Sequence, residues 1–429
     1  MAKLRYMVVL LVAALLLSGC NMKSASELFC LPGRTGQSDD LQTAIRAAMG
    51  KMEFSAPLNG SNQQSVQAAD LNGDGQMEYM VYAKDDSEKP LHIFIFSGDG
   101  THYTLLDTIE CTGSAFDRVE YVQMDNALGC EIVVGRQVDD QAVRAVSVYS
   151  LIADHMETFL TAAYTRFLTA RLDGGRRNQL LVLAPGTGDN GVAEVYAMQN
   201  RQMECISQIP VSRPAENILQ VTGTVLQDGM PAVFATSSVD GEDSIVTDVF
   251  VWKDDGLLNL TAGQGSITTL RPEELAVCDI DGDGVPELPE PVLTQSALGD
   301  GQHMIHWYSL RSDGSRIDKG CTYHNYSGGW YLELKADLAL RIDVVTLGSS
   351  YEFRIWDREF TQWEKLLSIY VLTGQRREEQ AVVNNRFVLR REESTVYAAE
   401  LAVTSYTYGL TKASLIGDFH LIREAGIQE

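Results

Sequence analysis

Asp70-Leu-Asn-Gly-Asp-Gly-Gln-Met-Glu78 and Asp279-Ile-Asp-Gly-Asp-Gly-Val-Pro-Glu287 are two copies of one nine-residue pattern. Oxygen side chains stand at places one, three, five and nine. They are Asp70, Asn72, Asp74 and Glu78 in one copy and Asp279, Asp281, Asp283 and Glu287 in the other. Glycines at places four and six let the backbone turn tightly. Such a loop can fold its oxygens inward around a hard cation. The backbone carbonyl at place seven, Gln76 or Val285, would complete the ring. Calcium takes six to eight oxygens at roughly 2.3–2.6 Å, some of them carbonyls. The same residues also make hairpin turns without metal, because Asp and Asn bond their own backbone two residues on. Both readings stand at this point. An EF-hand fits neither copy. Place twelve is Val81 in the first, and in the second Glu290 follows Pro289 where a helix would have to run.

Each copy is followed by an apolar strand, Met77 to Ala83 in the first. Weaker relatives lie between the two. Gln123-Met-Asp-Asn-Ala-Leu-Gly-Cys-Glu131 keeps only Asp125 and Glu131, Arg171 to Gln179 keeps the glycines, and Thr224 to Ala232 is fainter still. The starts fall at 70, 123, 171, 224 and 279, a period of about 50 residues, which marks a repeat architecture. Within each unit an apolar strand leads into the turn and a second leaves it. A polar hairpin follows, such as Lys84–Glu88 or Gly186–Gly191, then a third strand, such as Leu91–Phe96 or Val192–Ala197, and a fourth, such as Tyr103–Thr108. Four antiparallel strands per repeat is the composition of a propeller blade. The expected fold class is therefore mainly β: a β-propeller of four-stranded blades, five repeats detectable and up to seven blades in all.

The turn between two strands resembles the FG-GAP/VCBS repeat of integrin alpha amino-terminal propellers and of many bacterial surface proteins. The resemblance covers about residues 60 to 325 and rests on two complete and three degenerate copies. It implies bound Ca2+ at Asp70, Asn72, Asp74, Gln76 and Glu78, and at Asp279, Asp281, Asp283, Val285 and Glu287. One departure weakens it: place nine is often Asp in the integrin form and is Glu here.

The amino terminus carries a separate signal. Lys3 and Arg5 precede the apolar run Tyr6 to Leu17, which is too short for a membrane span. It ends in Leu17-Ser18-Gly19-Cys20, which resembles the bacterial lipoprotein signal. That resemblance implies cleavage after residue 19, a diacylated Cys20 as the new first residue and a firm anchor in the membrane. The organisation expected is a signal peptide over 1–19, a tether over 20–40, a short helix and lead-in over 41–60, the propeller over 61–325 and a small α+β domain over 326–429. In the helix, Leu41, Ile45, Ala48, Met49 and Met52 share one side. In the last domain, strands are expected at 330–343, 351–356, 366–372, 386–389 and 395–402, with a helix from Leu410 to Ile422. Two diverged blades are the alternative for that segment. The layout of lipobox, helix and first turn is like that of repeat-bearing lipoproteins of Gram-positive gut bacteria.

The chain has a net charge of −24, and loss of residues 1–19 removes two basic residues and no acidic ones. Such a surface repels nucleic acid and anionic headgroups and attracts cations. Cys30, Cys111, Cys130, Cys205, Cys278 and Cys321 form no CxxC and no zinc spacing. Gly186-x-Gly188-x-x-Gly191 leads into a strand rather than a helix, so it reads as a hairpin and not a dinucleotide loop. There is no Gly-x-Ser-x-Gly, phosphate loop or His-Glu-x-x-His. His303 and His306 point to opposite faces of a strand. Trp307, Trp330, Trp356 and Trp363 read as core rather than as a sugar platform. The function expected is a cell-surface, lipid-anchored binding or scaffolding protein on the extracytoplasmic face, with a surface protein or glycan as ligand and no nucleic acid. A propeller-based polysaccharide lyase or hydrolase and a structural envelope assembly factor are the rivals.

Overall fold

The structure is a computed structural model that describes residues 37–138, 143–262, 269–292, 304–359 and 361–422. The signal segment, Cys20, Cys30 and His303 lie outside the described residues. Among the described residues no helix is long and apolar enough to cross a membrane. Two compact units divide between Ala163 and Tyr164.

The first unit begins with a helix, Gln37–Met49. Leu41, Ile45 and Met49 are buried together against Val81, Ala83, Phe94 and Phe96 of the first sheet. Gly50 ends the helix: its φ is 58° and its N–H donates to the Arg46 carbonyl. A left-handed residue after the last turn is the common helix stop, and glycine takes that conformation without strain.

The first sheet is ordered Glu53–Phe54, Glu78–Lys84, Leu91–Gly98, Tyr103–Cys111, with Val66–Ala69 on the same edge of Glu78–Lys84 as the short first strand. The second is Ala115–Val122, Glu131–Gln137, Arg144–Ile152, His155–Tyr164. Their middle strands are buried almost end to end. Such strands are covered on both faces, which is why they read as unbroken apolar runs. One core, with Met80, Tyr82, Ile93, Phe116, Val119 and Ile132, lies between the two sheets.

The second unit continues the pattern. The third sheet is Arg166–Ala170, Gln179–Pro185, Gly191–Gln199, Gln202–Pro210, and the fourth is Ile218–Val225, Pro231–Ser238, Ser244–Lys253, Gly256–Asn259. Leu181, Val195, Val233 and Phe250 share a core between them. Phe234, Val249, Leu288 and Tyr308 join the fourth sheet to the fifth. Among the described residues the fold is thus mainly β: six antiparallel sheets of four or five strands in chain order, in a propeller-like series where each pair described here shares an apolar layer. The segment Gly186–Gly191 is a hairpin closed by Pro185 opposite Gly191, as its spacing implies.

The C-terminal hundred residues differ from expectation. The fifth sheet runs Leu288–Pro291, Met304–Leu310, Arg316–Asn325, Trp330–Leu334, Phe419–Leu421. The boundary expected at 325/326 therefore falls between two paired strands of one sheet. The expected helix from Leu410 to Ile422 shortens to Lys412–Gly417, capped by Thr411, and the chain then turns into the strand Phe419–Leu421. Edge pairing with Trp330–Leu334 overrides the helical spacing. Between these lies a sixth sheet, ordered Ile342–Leu347, Ser350–Trp356, Trp363–Thr373, Thr395–Leu401, Phe387–Arg391. Its strand order breaks the plain up-and-down course of the first four sheets, which is why the repeat fades there.

Candidate cation turns

The repeated turn occupies the same corner of successive sheets: it links the first strand to the second. Residues 70–77 lie between Val66–Ala69 and Glu78–Lys84, residues 123–130 between Ala115–Val122 and Glu131–Gln137, and residues 171–178 between Arg166–Ala170 and Gln179–Pro185. The fourth corner is 226–230, so Thr224, its expected start, lies inside the preceding strand. At the fifth corner a bridge between Cys278 and Glu287 closes the turn before Leu288–Pro291.

Place nine is a buried latch. The N–H at place two donates to it in four corners: Leu71 to Glu78 Oε2 at 2.8 Å, Met124 to Glu131 Oε2 at 2.7 Å, Leu172 to Gln179 Oε1 at 2.8 Å and Ile280 to Glu287 Oε2 at 3.0 Å. Place two is apolar each time and buried: Leu71, Met124, Leu172 and Ile280. The side chain at place two plugs into the core while its N–H is held from below. In the fourth corner the backbone does this alone, Leu226 N–H donating to the Met230 carbonyl at 2.8 Å. A buried N–H left without an acceptor costs about 1–3 kcal/mol, so the latch keeps its place even where the other turn carboxylates are missing.

Burial pushes the Glu131 carboxyl up to about 7. The sign follows from linkage. The folded chain holds this proton more tightly than the unfolded chain, whose carboxyl titrates near 4.5. The stability tied to this group is full below about 4.5 and is lost as pH rises toward 7. Gln179 shows that an amide serves the same corner. Glu131→Gln is therefore expected to leave stability at pH 4 unchanged and raise it by about 1–3 kcal/mol at pH 8. Urea midpoints of the two chains at both pH values check this.

The first turn holds its oxygens on a backbone frame. Asp70 accepts from Gly73 N–H at 2.7 Å and Gly75 N–H at 2.9 Å, and Asn72 Oδ1 accepts from Asp74 N–H at 2.9 Å. Gln76 N–H donates to Asp74 Oδ1 at 2.7 Å. Asp74 Oδ2 and Glu78 Oε1 accept from the Asn72 side-chain amide, each at 3.3 Å. Glu78 is fully buried, and burial together with the charges of Asp74 and Asp70 raises its pKa. Among the described residues no cationic side chain pairs with Asp70, Asp74 or Glu78. Asp70, Asp74 and Glu78 thus have neutral partners only, but among the described residues the carboxylates that bring oxygens within 4.8 Å of one another are those of the fifth turn.

The fifth turn has the same backbone frame with a different filling. Asp279 accepts from the N–H groups of Gly282, Asp283 and Gly284 at 2.8, 3.0 and 2.8 Å, and Asp283 Oδ1 accepts from Val285 N–H at 2.8 Å. Asp279, Asp281 and Asp283 each bring one oxygen within 4.8 Å of the others. The Lys319 ammonium stands among them, 2.7 Å from Asp281 Oδ2, 2.6 Å from Asp283 Oδ2 and 3.3 Å from Glu287 Oε1. Burial works against this ammonium, but the hydrogen bonds to Asp281 and Asp283 outweigh it and leave its pKa above the ordinary lysine value. Glu287 is fully buried and is pushed up to about 7, chiefly by that burial. Sequence reading placed the carboxylates but missed Lys319, because it reaches the turn from the strand Arg316–Asn325.

Other candidates resolve as structure. Cys111, Cys130, Cys205, Cys278 and Cys321 are free thiols, with Cys111 Sγ 3.3 Å from the Tyr149 hydroxyl and Cys130 Sγ 3.3 Å from the Asp70 carbonyl. Trp307 and Trp330 are buried, whereas Trp363 is exposed under the Arg354 guanidinium at 4.0 Å. His306 joins Glu290 at 3.5 Å and Asp318 at 3.3 Å on the surface of the fifth sheet. A depression of about 570 Å3 lies at the third sheet, lined by Gly186, Asp189, Asn190, Gln208 and Pro210.

No family model matches the sequence, and no curated protein matches it in a sequence comparison. Solved structures do match. One is an exotype rhamnogalacturonan lyase, 12% identical, covering 73% of this chain and 67% of its own, with a TM-score of 0.30. Another is a protein from Lactobacillus plantarum, 10% identical, covering 74% of this chain and 96% of its own, also with a TM-score of 0.30.

Proposed function

We propose that the chain is an exported binding or scaffolding module of the FG-GAP/VCBS kind, anchored through a lipidated Cys20, with calcium at its first turn. The observation that supports this best is the repeated, latched corner. The same joint between first and second strands is pinned in five sheets, by a buried Glu or Gln in four and by backbone in the other. Connecting hairpins elsewhere vary in length and chemistry, from the glycine-rich 186–191 to the acidic 239–243. A stiff frame that carries variable loops is an arrangement that suits recognition. The acidic composition disfavours nucleic acid, and the ligand class of this reading is a surface protein or glycan.

The lyase or hydrolase reading asks for a recessed cluster of acids and bases. One such group, His306 with Glu290, Asp318 and Arg316, is already paired within itself and lies partly exposed on the fifth sheet. An envelope assembly factor would instead hold one protein partner. The test is capture from intact cells alongside a glycan array, each with the full chain in calcium and in chelator. Calcium-dependent retention of a defined protein or glycan is expected. Release of shortened polysaccharide products, with no retained ligand, would overturn the reading in favour of an enzyme.

A further inference from the structure

We propose that Lys319 is the fifth turn's own cation: its ammonium fills the ring that the first turn leaves for calcium. The inference rests on reading these turns as cation rings, and it separates two copies that the sequence presents as equals.

The geometry behind it is a bulge. Between the third and fourth strands of the first sheet the register shifts at Ile95/Phe96, so Leu106 is an extra residue on the fourth strand. In the third sheet the shift falls at Val195/Tyr196, and the extra residue is Ile206. In the fifth sheet it falls between His306 and Tyr308, opposite Lys319 and Gly320. The place is the same in all three. Phe96 pairs with Tyr79, Tyr196 with Leu180 and Tyr308 with Leu288, each one residue past the latch at place nine. A bulge leaves one residue unpaired and re-aims its side chain. Leu106 and Ile206 use that freedom to pack against the neighbouring apolar layer. Lys319 uses it to reach the turn, and Gly320, at φ 94°, supplies the backbone bend.

The ammonium takes the oxygens a metal would need. Asp281, Asp283 and Glu287 stand at places three, five and nine, and all three lie at 2.6–3.3 Å from Lys319 Nζ. Two cations cannot share oxygens at that separation without strong repulsion. The Lys319 side chain is only 10% exposed, so it is held in the ring rather than swung to solvent. At the first corner Leu106 offers no charge, and the ring keeps its bare carboxylates.

Exchanging the two bulge residues tests this. The full chain in detergent is titrated with calcium by calorimetry as wild type, Lys319→Leu and Leu106→Lys. Lys319→Leu is expected to gain a calcium site with a Kd on the order of 10⁻⁴ M, the scale of extracellular calcium modules, and added Asp283→Ala should abolish it. Leu106→Lys is expected to lose the site at the first turn. If Lys319→Leu unfolds without calcium, restoration of its melt by calcium supports the proposal, and no restoration overturns it. A wild-type chain that loses a calcium site on Asp283→Ala would also overturn it. Gain of a site by Lys319→Leu, with no binding at the first turn of the wild type, would uphold Lys319 and sink the calcium reading of that turn.

Discussion

Gly129→Ala is expected to lower the free energy of unfolding by about 3 kcal/mol or more, because the new methyl has nowhere to go. A Cβ on Gly129 would stand 2.0 Å from the Leu71 carbonyl oxygen and 2.5 Å from its carbon. Both are backbone atoms, so no rotamer relieves the clash. The second corner is pressed against the first at this point. Cys130 N–H donates to the Asp70 carbonyl at 3.2 Å, and a Cβ on Gly73 would in turn lie 2.4 Å from Leu128 Cβ. Pushing Leu71 outward breaks its N–H bond to Glu78 and shifts Asp70 and Asn72, so the calcium affinity proposed for this turn should fall together with stability. Gly75→Ala is the control. Its φ of 85° strains a side chain, but nothing lies within 4 Å, and the expected loss is only about 1–2 kcal/mol. Thermal and urea melts of the two variants, read side by side, check the contrast.

Trp330→Ala is expected to cost about 3–5 kcal/mol, the range for emptying a buried large aromatic site. Trp330 is fully buried and touches three rings: Tyr323 of its own sheet, Tyr351 of the sixth sheet at a 5.4 Å centroid distance, and Phe419 of the C-terminal strand at 5.5 Å. It therefore fastens the sixth sheet and the strand Phe419–Leu421 to the fifth sheet. Trp330→Phe should cost far less. It keeps most of the aromatic area and removes an indole N–H that has no acceptor among the described residues. If the last hundred residues were energetically separate, Trp330→Ala would produce two melting transitions. One broadened or lowered transition for residues 164–429 is the expected result.

Much of this architecture was legible because the turn chemistry is local. Alternating oxygens with two glycines fix a tight corner whatever surrounds it, and the apolar strands after Glu78, Glu131 and Gln179 carry enough buried residues to be read directly. The corner's deeper logic was also present in the residues but easily misassigned. Glu78 and Glu287 look like ligands, yet each also holds the place-two N–H from inside the core. Gln179 looks like decay of a metal site, yet it keeps that hydrogen bond unchanged. An apolar residue at place two with Glu or Gln at place nine is the signal that could have shown this.

What the sequence concealed depends on contacts between distant segments. Lys319 belongs to another strand and reaches the fifth turn only because a bulge turns it there. The pairing of Phe419–Leu421 with Trp330–Leu334 overrides a helical spacing that is locally sound. The fourth corner was placed too early because it lacks the place-nine latch that marks the others.

Residue-level amide exchange tests the central claim most directly, namely that four surface corners are pinned from inside by the residue at place nine. The amides of Leu71, Met124, Leu172 and Ile280 should exchange slowly, as core amides do, although each sits in a polar turn at a sheet corner. Exchange of these four at the rate of open loop amides would contradict the account.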